Sequence, residues 1–209
     1  SIEPVMDVLE TQQHPRCVYF ISDDGLRHKF LLKGNEDLRL DERLMQFFAL
    51  INGILPKNLS TEQDISVSRY EIVPMTKNVG LIKWFKGADT IHQLICKNRD
   101  RHNIEKNIES IRVSKMISSD VSLLTLAQKY EIFTEISKEF KGLELFESMW
   151  LNAPNAAVWL ARTQKYTISY ALMAMVGYII GLGDRHPSNI MIQRETGKVV
   201  HIDFGDSFD

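Results

Sequence analysis

The 209-residue sequence predicts an α+β protein with two lobes, a small strand-rich lobe followed by a mostly helical one. Three observations support this class. Short runs of β-forming residues with an Asp-Gly turn lie near the start, one helical apolar stripe follows them, and after Gly87 almost every apolar segment has helical spacing. We therefore assign residues 1–86 to the first lobe and residues 87–209 to the second. A hydrophobic content of 44% is sufficient for a buried core.

The first lobe begins with a predicted β-hairpin. Two runs rich in β-forming residues, 17–21 and 28–33, flank the turn Ser22-Asp23-Asp24-Gly25. Apolar residues then recur with the period of a helix, which predicts a helix over residues 38–55. Two further strands complete a small sheet with the hairpin, and they are predicted at residues 69–75 and 81–85.

The second lobe consists mainly of predicted helices. Their apolar residues recur at helical spacing over residues 90–98, 125–139, 143–151 and 156–182. Residues 97–107 carry mixed charges and are followed by a loop-like Ser118-Ser119-Asp120, so this part is either an insertion or a solvated helix. The most apolar stretch, 168–182, is short and interrupted by serine and glycine, which indicates a buried core helix and no membrane span.

Charge and cysteine content exclude several classes of protein. The 25 Lys and Arg residues nearly balance the 27 Asp and Glu residues, so we expect neither direct nucleic-acid binding nor a polybasic membrane surface. Cys17 and Cys96 have neither the number nor the spacing of a disulfide framework or a zinc site. Together with a start that lacks a secretory signal pattern, this predicts a cytoplasmic location, with endomembrane or nuclear association through partners.

The last part of the chain has the pattern of a metal site. The polar run 183–189 precedes two apolar-rich runs joined by Glu195-Thr196-Gly197, which predict a β-hairpin with a three-residue loop. If Arg194 opposes Lys198, Asn189 faces Asp203 with about 4.5 to 5.5 Å between Cβ atoms. Amide and carboxylate oxygens, with Asp184 nearby, are ligands that Mg²⁺ prefers. The alternative is an ordinary polar hairpin in which Asn and Asp only cap and form turns.

The order Gly183-Asp184-Arg185-His186-Pro187-Ser188-Asn189, followed by Asp203-Phe204-Gly205, closely resembles the catalytic and metal-binding loops of the phosphatidylinositol 3-kinase-related protein kinases. Asp-Arg-His is inverted relative to the His-Arg-Asp of ordinary protein kinases. Residues 33–43 and 175–180 are most similar to the target-of-rapamycin (TOR) branch. The resemblance covers nearly the whole chain. It implies a bilobal protein-kinase-like fold of the PI3/PI4-kinase type, truncated after Asp-Phe-Gly.

The resemblance also implies roles for the polar residues of these loops. Asp184 would orient or deprotonate the acceptor hydroxyl, and His186 would stabilise charge on the transferred phosphate. Asn189 and Asp203 would hold Mg²⁺, which Mn²⁺ can replace, and ATP would be the phosphate donor.

Lys33 would contact the nucleotide phosphates and pair with Asp41, which would replace the Glu of ordinary kinases. The residues alone allow a solvated surface lysine instead. They also allow Asp41 to complement the dipole at a helix N-terminus, a role that Glu36 could fill as well.

An adenine base needs apolar walls and backbone groups from a hinge, which the resemblance places at residues 82–85. The segment 8–15 stands where a phosphate-covering loop is expected, but it lacks the G-x-G-x-x-G pattern. Thr11 and Gln12 are the phosphate candidates in this segment. The predicted nucleotide-binding residues, beside Lys33, are Leu9, Leu31, Glu36, Tyr70, Ile82, Trp84, Phe85, Met191 and Ile202.

The function implied by the resemblance is a serine/threonine protein kinase domain in TOR-like growth and nutrient signalling. Its partners would be protein substrates, a WD40 propeller docked on an insertion within residues 99–142, and large scaffold subunits. The alternatives are a phosphoinositide lipid kinase, which Pro187 argues against, and a catalytically inactive scaffold. Because the sequence stops at Asp209, we expect these 209 residues alone to bind nucleotide weakly and not to turn over a protein substrate.

Overall fold

A computed structural model of the chain describes residues 1–9, 14–58, 65–117, 121–140 and 142–208. These residues form two compact units, one made of Ser1–Thr90 with Leu160–Asp209 and the other of Ile91–Trp159. Strands concentrate in the first unit and helices make up the second, which confirms the predicted α+β class. The lobe boundary between residues 86 and 87 stays a prediction. No helix among the described residues is long and apolar enough to cross a membrane.

The first unit contains a five-stranded antiparallel sheet in the order β1-β2-β3-β5-β4. The predicted hairpin is confirmed, because Ile21 pairs with Arg27 and Gly25 takes the left-handed turn position with φ of 79°. The strands of this sheet are β1 (Asp7–Val8), β2 (Arg16–Ile21), β3 (Arg27–Gly34), β4 (Ile72–Thr76) and β5 (Val79–Lys83).

Two helices and the segment after the last strand form the core of the first unit. The helix α1 (Arg39–Asn58) begins near the predicted residue, and α6 (Ala156–Ile179) occupies most of the predicted range 156–182. Phe48 of α1 meets Phe204 edge to face, with 5.5 Å between ring centroids. The buried core side chains are Leu44, Met45, Phe48, Val67, Met173, Val176, Ile180 and Phe204.

A second sheet of three strands lies in the same unit, in the order β6-β7-β8. Its strands are β6 (Ala88–Thr90), β7 (Ile190–Gln193) and β8 (Val199–His201). The sequence analysis missed β6, which is too short to show a period. Asp89 of β6 accepts two hydrogen bonds from the Arg194 guanidinium, at 2.6 and 2.8 Å, and this pair joins β6 to the hairpin.

The predicted register of the β7–β8 hairpin is wrong by one residue. The Gln193 amide donates to the Lys198 carbonyl at 3.0 Å, so the loop has four residues, 194–197, and not three. Asn189 therefore pairs with Ile202, whose amide donates to the Asn189 carbonyl at 3.0 Å, and it does not face Asp203. Gly197 lies in this loop with φ of 77° and packs against the Arg162 backbone where a Cβ would not fit.

The second unit is helical, as predicted. Its helices are α2 (Ile91–Arg101), α3 (Ile108–Met116), α4 (Leu126–Glu139) and α5 (Glu144–Leu151), with a 3₁₀ turn at Val121–Leu123. The mixed-charge region is ordered by the buried Arg99, which binds Glu109 and Glu144 and donates to the Lys106 carbonyl at 2.7 Å. Residues 118–120 of the predicted loop lie outside the described residues.

Candidate nucleotide and metal site

A tight loop between α6 and β7 brings Asp184 and Asn189 together. Asp184 has φ of 48°, and the Asn189 side-chain amide donates to its carbonyl at 3.0 Å and to its carboxylate at 3.2 Å. Within the described residues these are the only partners of the Asn189 side chain, so its amide oxygen is free for a metal ion. Asn189 is buried, which fixes the direction of that oxygen.

His186 belongs to the same loop and stays open to solvent. Its Nε2 atom lies 3.7 Å from the Asp184 carboxylate, and about half of each of the two side chains is exposed. The backbone holds this arrangement, because the Asn189 amide donates to the His186 carbonyl at 2.9 Å. Asp184 and His186 are therefore adjacent groups that an incoming substrate can reach.

The turn after β8 separates an exposed carboxylate from a buried ring. Asp203 has φ of 61°, and this left-handed conformation leaves its side chain on the surface while Phe204 is fully buried. The Phe204 amide donates to the Asp41 carboxylate at 3.3 Å, which ties the turn to the start of α1. The burial of Phe204 thus fixes where Asp203 is presented.

The donor set fits Mg²⁺. Among the described residues, no group of three or more His, Cys, Asp or Glu side chains is placed to hold a metal ion. Mg²⁺ usually takes only one or two carboxylates from a protein and completes its octahedron with water and phosphate oxygens. The carboxylate of Asp203 and the free amide oxygen of Asn189 match that requirement. They are too few ligands for a metal site built entirely from protein groups.

The predicted ion pair between Lys33 and Asp41 is wrong in this structure, because Lys33 pairs with Glu36 instead. The Lys33 Nζ atom lies 2.9 and 3.1 Å from the two Glu36 carboxylate oxygens, and only 14% of the lysine side chain is exposed. The Asp41 carboxylate is engaged elsewhere, with the Phe204 amide. The closeness of Glu36 in the chain, three residues after Lys33, was the available sequence signal.

Asp41 is nevertheless part of the same electrostatic environment. Burial raises the pKa of its carboxyl to about 6, although the Phe204 amide and the Lys33 charge act in the opposite direction. Tyr70 shares this region, since burial first and then the negative charges of Asp41 and Asp203 raise the pKa of its phenol. The structure therefore brings Lys33, Asp41, Tyr70 and Asp203 close together from distant parts of the chain.

The predicted hinge lines a cavity of about 640 Å³, a size typical of small-molecule sites. Three predicted nucleotide-binding residues line it, namely Tyr70, Trp84 and Phe85. The Lys29 ammonium lies over the Trp84 ring, 3.8 Å from its centroid, so that ring carries a cation on one face.

The other residues predicted to form the walls of the adenine site are not among the described residues that line this cavity. Leu31 and Ile82 are direct partners across β3 and β5, and Met191 pairs with Val200 in the hairpin. Leu9 is half-buried and its amide donates to Pro15, while Ile202 pairs with Asn189. Thr11 and Gln12 lie outside the described residues. The nucleotide roles of all of these residues stay predictions.

Arg185, for which the sequence indicates only a structural cation, contacts the backbone on both sides of the site. Its guanidinium donates to the carbonyls of Gly183 at 2.7 Å and Ile202 at 2.9 Å, and also to that of Asp203. Burial lowers the pKa of Arg185, and the negative charges of Asp203 and Asp184 oppose this effect. The contacts with Ile202 and Asp203 join residues 17 and 18 positions apart, so no local sequence pattern indicates them.

Comparisons with known proteins identify the family of the chain. A family model described as phosphatidylinositol 3- and 4-kinase matches residues 27–209. The serine/threonine-protein kinase TOR of Oryza sativa subsp. japonica is 44% identical over 207 residues, which cover 99% of this chain and 8% of that relative. The serine/threonine-protein kinase SMG1 of Danio rerio is 31% identical over 238 residues, which cover 100% of this chain and 6% of that relative.

Among solved structures, the FAT and kinase domain of CtTel1 matches with a TM-score of 0.82 at 25% identity, covering 100% of this chain and 15% of that one. The chain thus spans less than a tenth of the length of the curated relatives described above. It belongs to the phosphatidylinositol 3- and 4-kinase family, within the branch of phosphatidylinositol 3-kinase-related kinases that includes the TOR kinases.

Proposed function

We propose that this chain is part of the catalytic domain of a serine/threonine protein kinase that transfers the γ-phosphate of ATP to proteins in TOR-like signalling. One observation carries the proposal. Asp184 contacts Asn189 directly, and Asn189 keeps a free amide oxygen, while the left-handed turn at Asp203 presents a second oxygen ligand. A general base beside a two-ligand metal site is the arrangement that phosphoryl transfer requires.

Each polar residue has a defined task in this proposal. Asp184 accepts the hydrogen bond of the acceptor hydroxyl and aligns its oxygen with the γ-phosphate, and the adjacent His186 stabilises charge on the transferred group. Lys33, held by Glu36, binds nucleotide phosphates. Asn189 and Asp203 would hold Mg²⁺, which neutralises negative charge on the phosphates when bound.

The test is transfer of labelled γ-phosphate by the full-length protein, with a Ser/Thr peptide mixture and phosphoinositide vesicles offered together. We expect label on serine or threonine, and a loss of at least about 100-fold in Asp184→Asn and Asp203→Asn. The matched control is Glu195→Gln, an exposed carboxylate in the hairpin loop, which should retain activity. Label on lipid would instead support a phosphoinositide kinase, and nucleotide binding without any transfer would support an inactive scaffold.

A partner surface is proposed on the second unit. The helices α3 and α4 form an apolar groove of about 590 Å³, whose residues include Val113, Ile132 and Phe133. Phe133 is 68% exposed, which is unusual for a phenylalanine without a partner. We propose that a WD40 propeller subunit docks here, and that large scaffold subunits bind elsewhere on the full-length protein.

Co-purification of a propeller subunit with the full-length protein tests whether this groove is its docking surface. Phe133→Asp should abolish recovery of a propeller subunit with the full-length protein, because it places a charge in the apolar contact. Glu135→Gln, an exposed position on the same helix, is the control and should not affect recovery. Equal recovery with both variants would contradict the proposed surface.

We also propose a cytoplasmic location, with endomembrane or nuclear association through these partners. Both cysteines are free thiols, Cys17 buried and Cys96 partly exposed, which suits a reducing compartment. Recovery of the full-length protein in a secreted or lumenal fraction would contradict this location.

A further inference from the structure

Arg185 lies between two proposed catalytic residues, yet its own hydrogen bonds do not involve any side chain. Within the described residues, the guanidinium donates only to backbone carbonyls: those of Gly183, Ile202 and Asp203, and at 3.5 Å that of Asn189. The planar guanidinium has five N–H donors in a fixed fork, so a single side chain can hold several carbonyls at set relative positions.

These carbonyls belong to the segments that carry the site. Gly183 precedes Asp184, Asn189 is a predicted metal ligand, and Ile202 and Asp203 lie at the end of the hairpin. The two metal ligands are not direct partners across the β7–β8 ladder, because the hairpin register pairs Asn189 with Ile202. Arg185 therefore provides a connection between the two ligand-bearing segments that the ladder does not.

The carbonyls that Arg185 binds lie next to two residues with an uncommon backbone conformation. Asp184 and Asp203 both have positive φ angles, 48° and 61°, in the left-handed region that is uncommon for non-glycine residues, although Asp adopts it more readily than most. The Gly183 carbonyl belongs to the peptide bond before Asp184, and the Asp203 carbonyl to the bond after Asp203. Arg185 thus binds one peptide group next to each of these two residues.

The surroundings of Arg185 keep it in place. Its guanidinium carbon lies 5.8 Å from the centroid of the Phe204 ring, which is itself fully buried. Phe204 follows Asp203 directly, so the same turn that presents the carboxylate also supplies an aromatic surface for the guanidinium. A lysine would keep the charge, but it could not span the carbonyls.

We propose that Arg185 is a positioning residue that holds Asp203 and Asn189 in one metal-binding geometry beside Asp184. The inference rests on the proposed function, and it assigns Arg185 no contact with substrate. It predicts that the fork-shaped donor set matters more than the positive charge.

The experiment measures metal binding and phosphate transfer separately in the full-length protein. Binding of Mn²⁺ in the presence of ADP is followed by electron paramagnetic resonance, and transfer is followed as a function of Mg²⁺ concentration. Arg185→Lys and Arg185→Gln should weaken Mn²⁺ binding about 10- to 100-fold and shift the Mg²⁺ dependence by a similar factor. Binding of ADP in EDTA should change less than about twofold, because the nucleotide contacts are elsewhere.

The matched control is Arg194→Lys, which changes an arginine of the same hairpin that pairs with Asp89 outside the proposed site. It should leave Mn²⁺ binding unchanged even if it lowers the melting temperature. Unchanged Mn²⁺ binding in both Arg185 variants would overturn the inference and leave only a structural role. If the wild-type protein binds Mn²⁺ with ADP but transfers no phosphate, the proposed activity is refuted. The effect of the Arg185 variants on Mn²⁺ binding is then still measurable and tests the inference separately.

Discussion

Asp41 has a buried carboxylate at the start of α1, with only 3% of the residue exposed. Burial raises its pKa from 3.8 to about 6. An acid whose pKa is higher in the folded state holds its proton more tightly there than in the unfolded chain. Folding stability therefore falls as the pH rises from about 4 to about 6, and it is level above that range.

We expect the free energy of unfolding of the chain to decrease by about 1 to 3 kcal/mol between pH 4 and pH 6.5 through this residue. Asp41→Asn should remove that part of the pH dependence, because the amide oxygen can still accept the Phe204 hydrogen bond. Urea unfolding at a series of pH values measures the difference between the two proteins. Identical pH profiles would show that Asp41 keeps an ordinary pKa.

Glu36 provides a second prediction for a single residue. Its carboxylate is the observed partner of Lys33, and that lysine is mostly buried, so removing the charge takes away the direct partner of the ammonium group. Glu36→Gln should weaken ATP binding by about 3- to 10-fold, a cost of about 1 kcal/mol.

The control for Glu36 is Glu139→Gln, which removes the partner of Arg112 in a pair where both side chains are substantially exposed and neither lines the nucleotide cavity. That change should have little effect, because exposed ion pairs contribute little. Titration of each variant with a fluorescent ATP analogue, or calorimetry with ATP, compares the two variants. An equal or larger loss in Glu139→Gln than in Glu36→Gln would contradict the assignment of Glu36 as the partner that matters.

At the scale of elements, the β7–β8 hairpin depends on Gly197. Its φ of 77° and its contact with the Arg162 backbone leave no room for a side chain. Gly197→Ala should therefore destabilise the chain by about 2 to 4 kcal/mol, from a strained conformation and a clash with backbone atoms together.

Gly25 is the matched control, because it has φ of 79° in the β2–β3 turn but open space around the position of a Cβ. Gly25→Ala should cost only the strain of the left-handed conformation, about 1 kcal/mol. Chemical unfolding of both variants measures the difference. Equal losses would mean that the contact with Arg162 contributes nothing.

At the scale of the whole molecule, Phe204 connects the turn that carries Asp203 to the core of the first unit. Its ring is fully buried and packs on Phe48, a residue of α1 that is far away in sequence. Phe204→Ala should lower the free energy of unfolding by about 3 to 5 kcal/mol, through lost burial and a cavity.

A double-mutant cycle with Phe48→Ala tests whether the two rings act together. We expect a coupling energy of about 0.5 to 1.5 kcal/mol, as for other edge-to-face pairs. Phe208→Ala is the control, since 63% of that residue is exposed and its loss should be nearly neutral. A coupling energy near zero would mean that the two rings stabilise the core independently.

The sequence by itself predicted most of the helices, the first hairpin and the residue types of the candidate site. Period and turn residues were sufficient for the β2–β3 hairpin, α1, and the helices α4, α5 and α6, because these signals depend on neighbours within a few residues. The polar order from Asp184 to Asn189, with Asp203 after the hairpin, indicated a metal-nucleotide site through the residue types alone.

Tertiary structure decided the features that depend on residues far apart in the chain. The Gly197 loop packs against the Arg162 backbone, and the Phe204 amide donates to the Asp41 carboxylate, a residue 163 positions earlier in the chain. Strand β6 formed through Asp89 and Arg194, although its three residues have no period. Such contacts become favourable only after folding places both partners side by side, so no local pattern in the sequence records them.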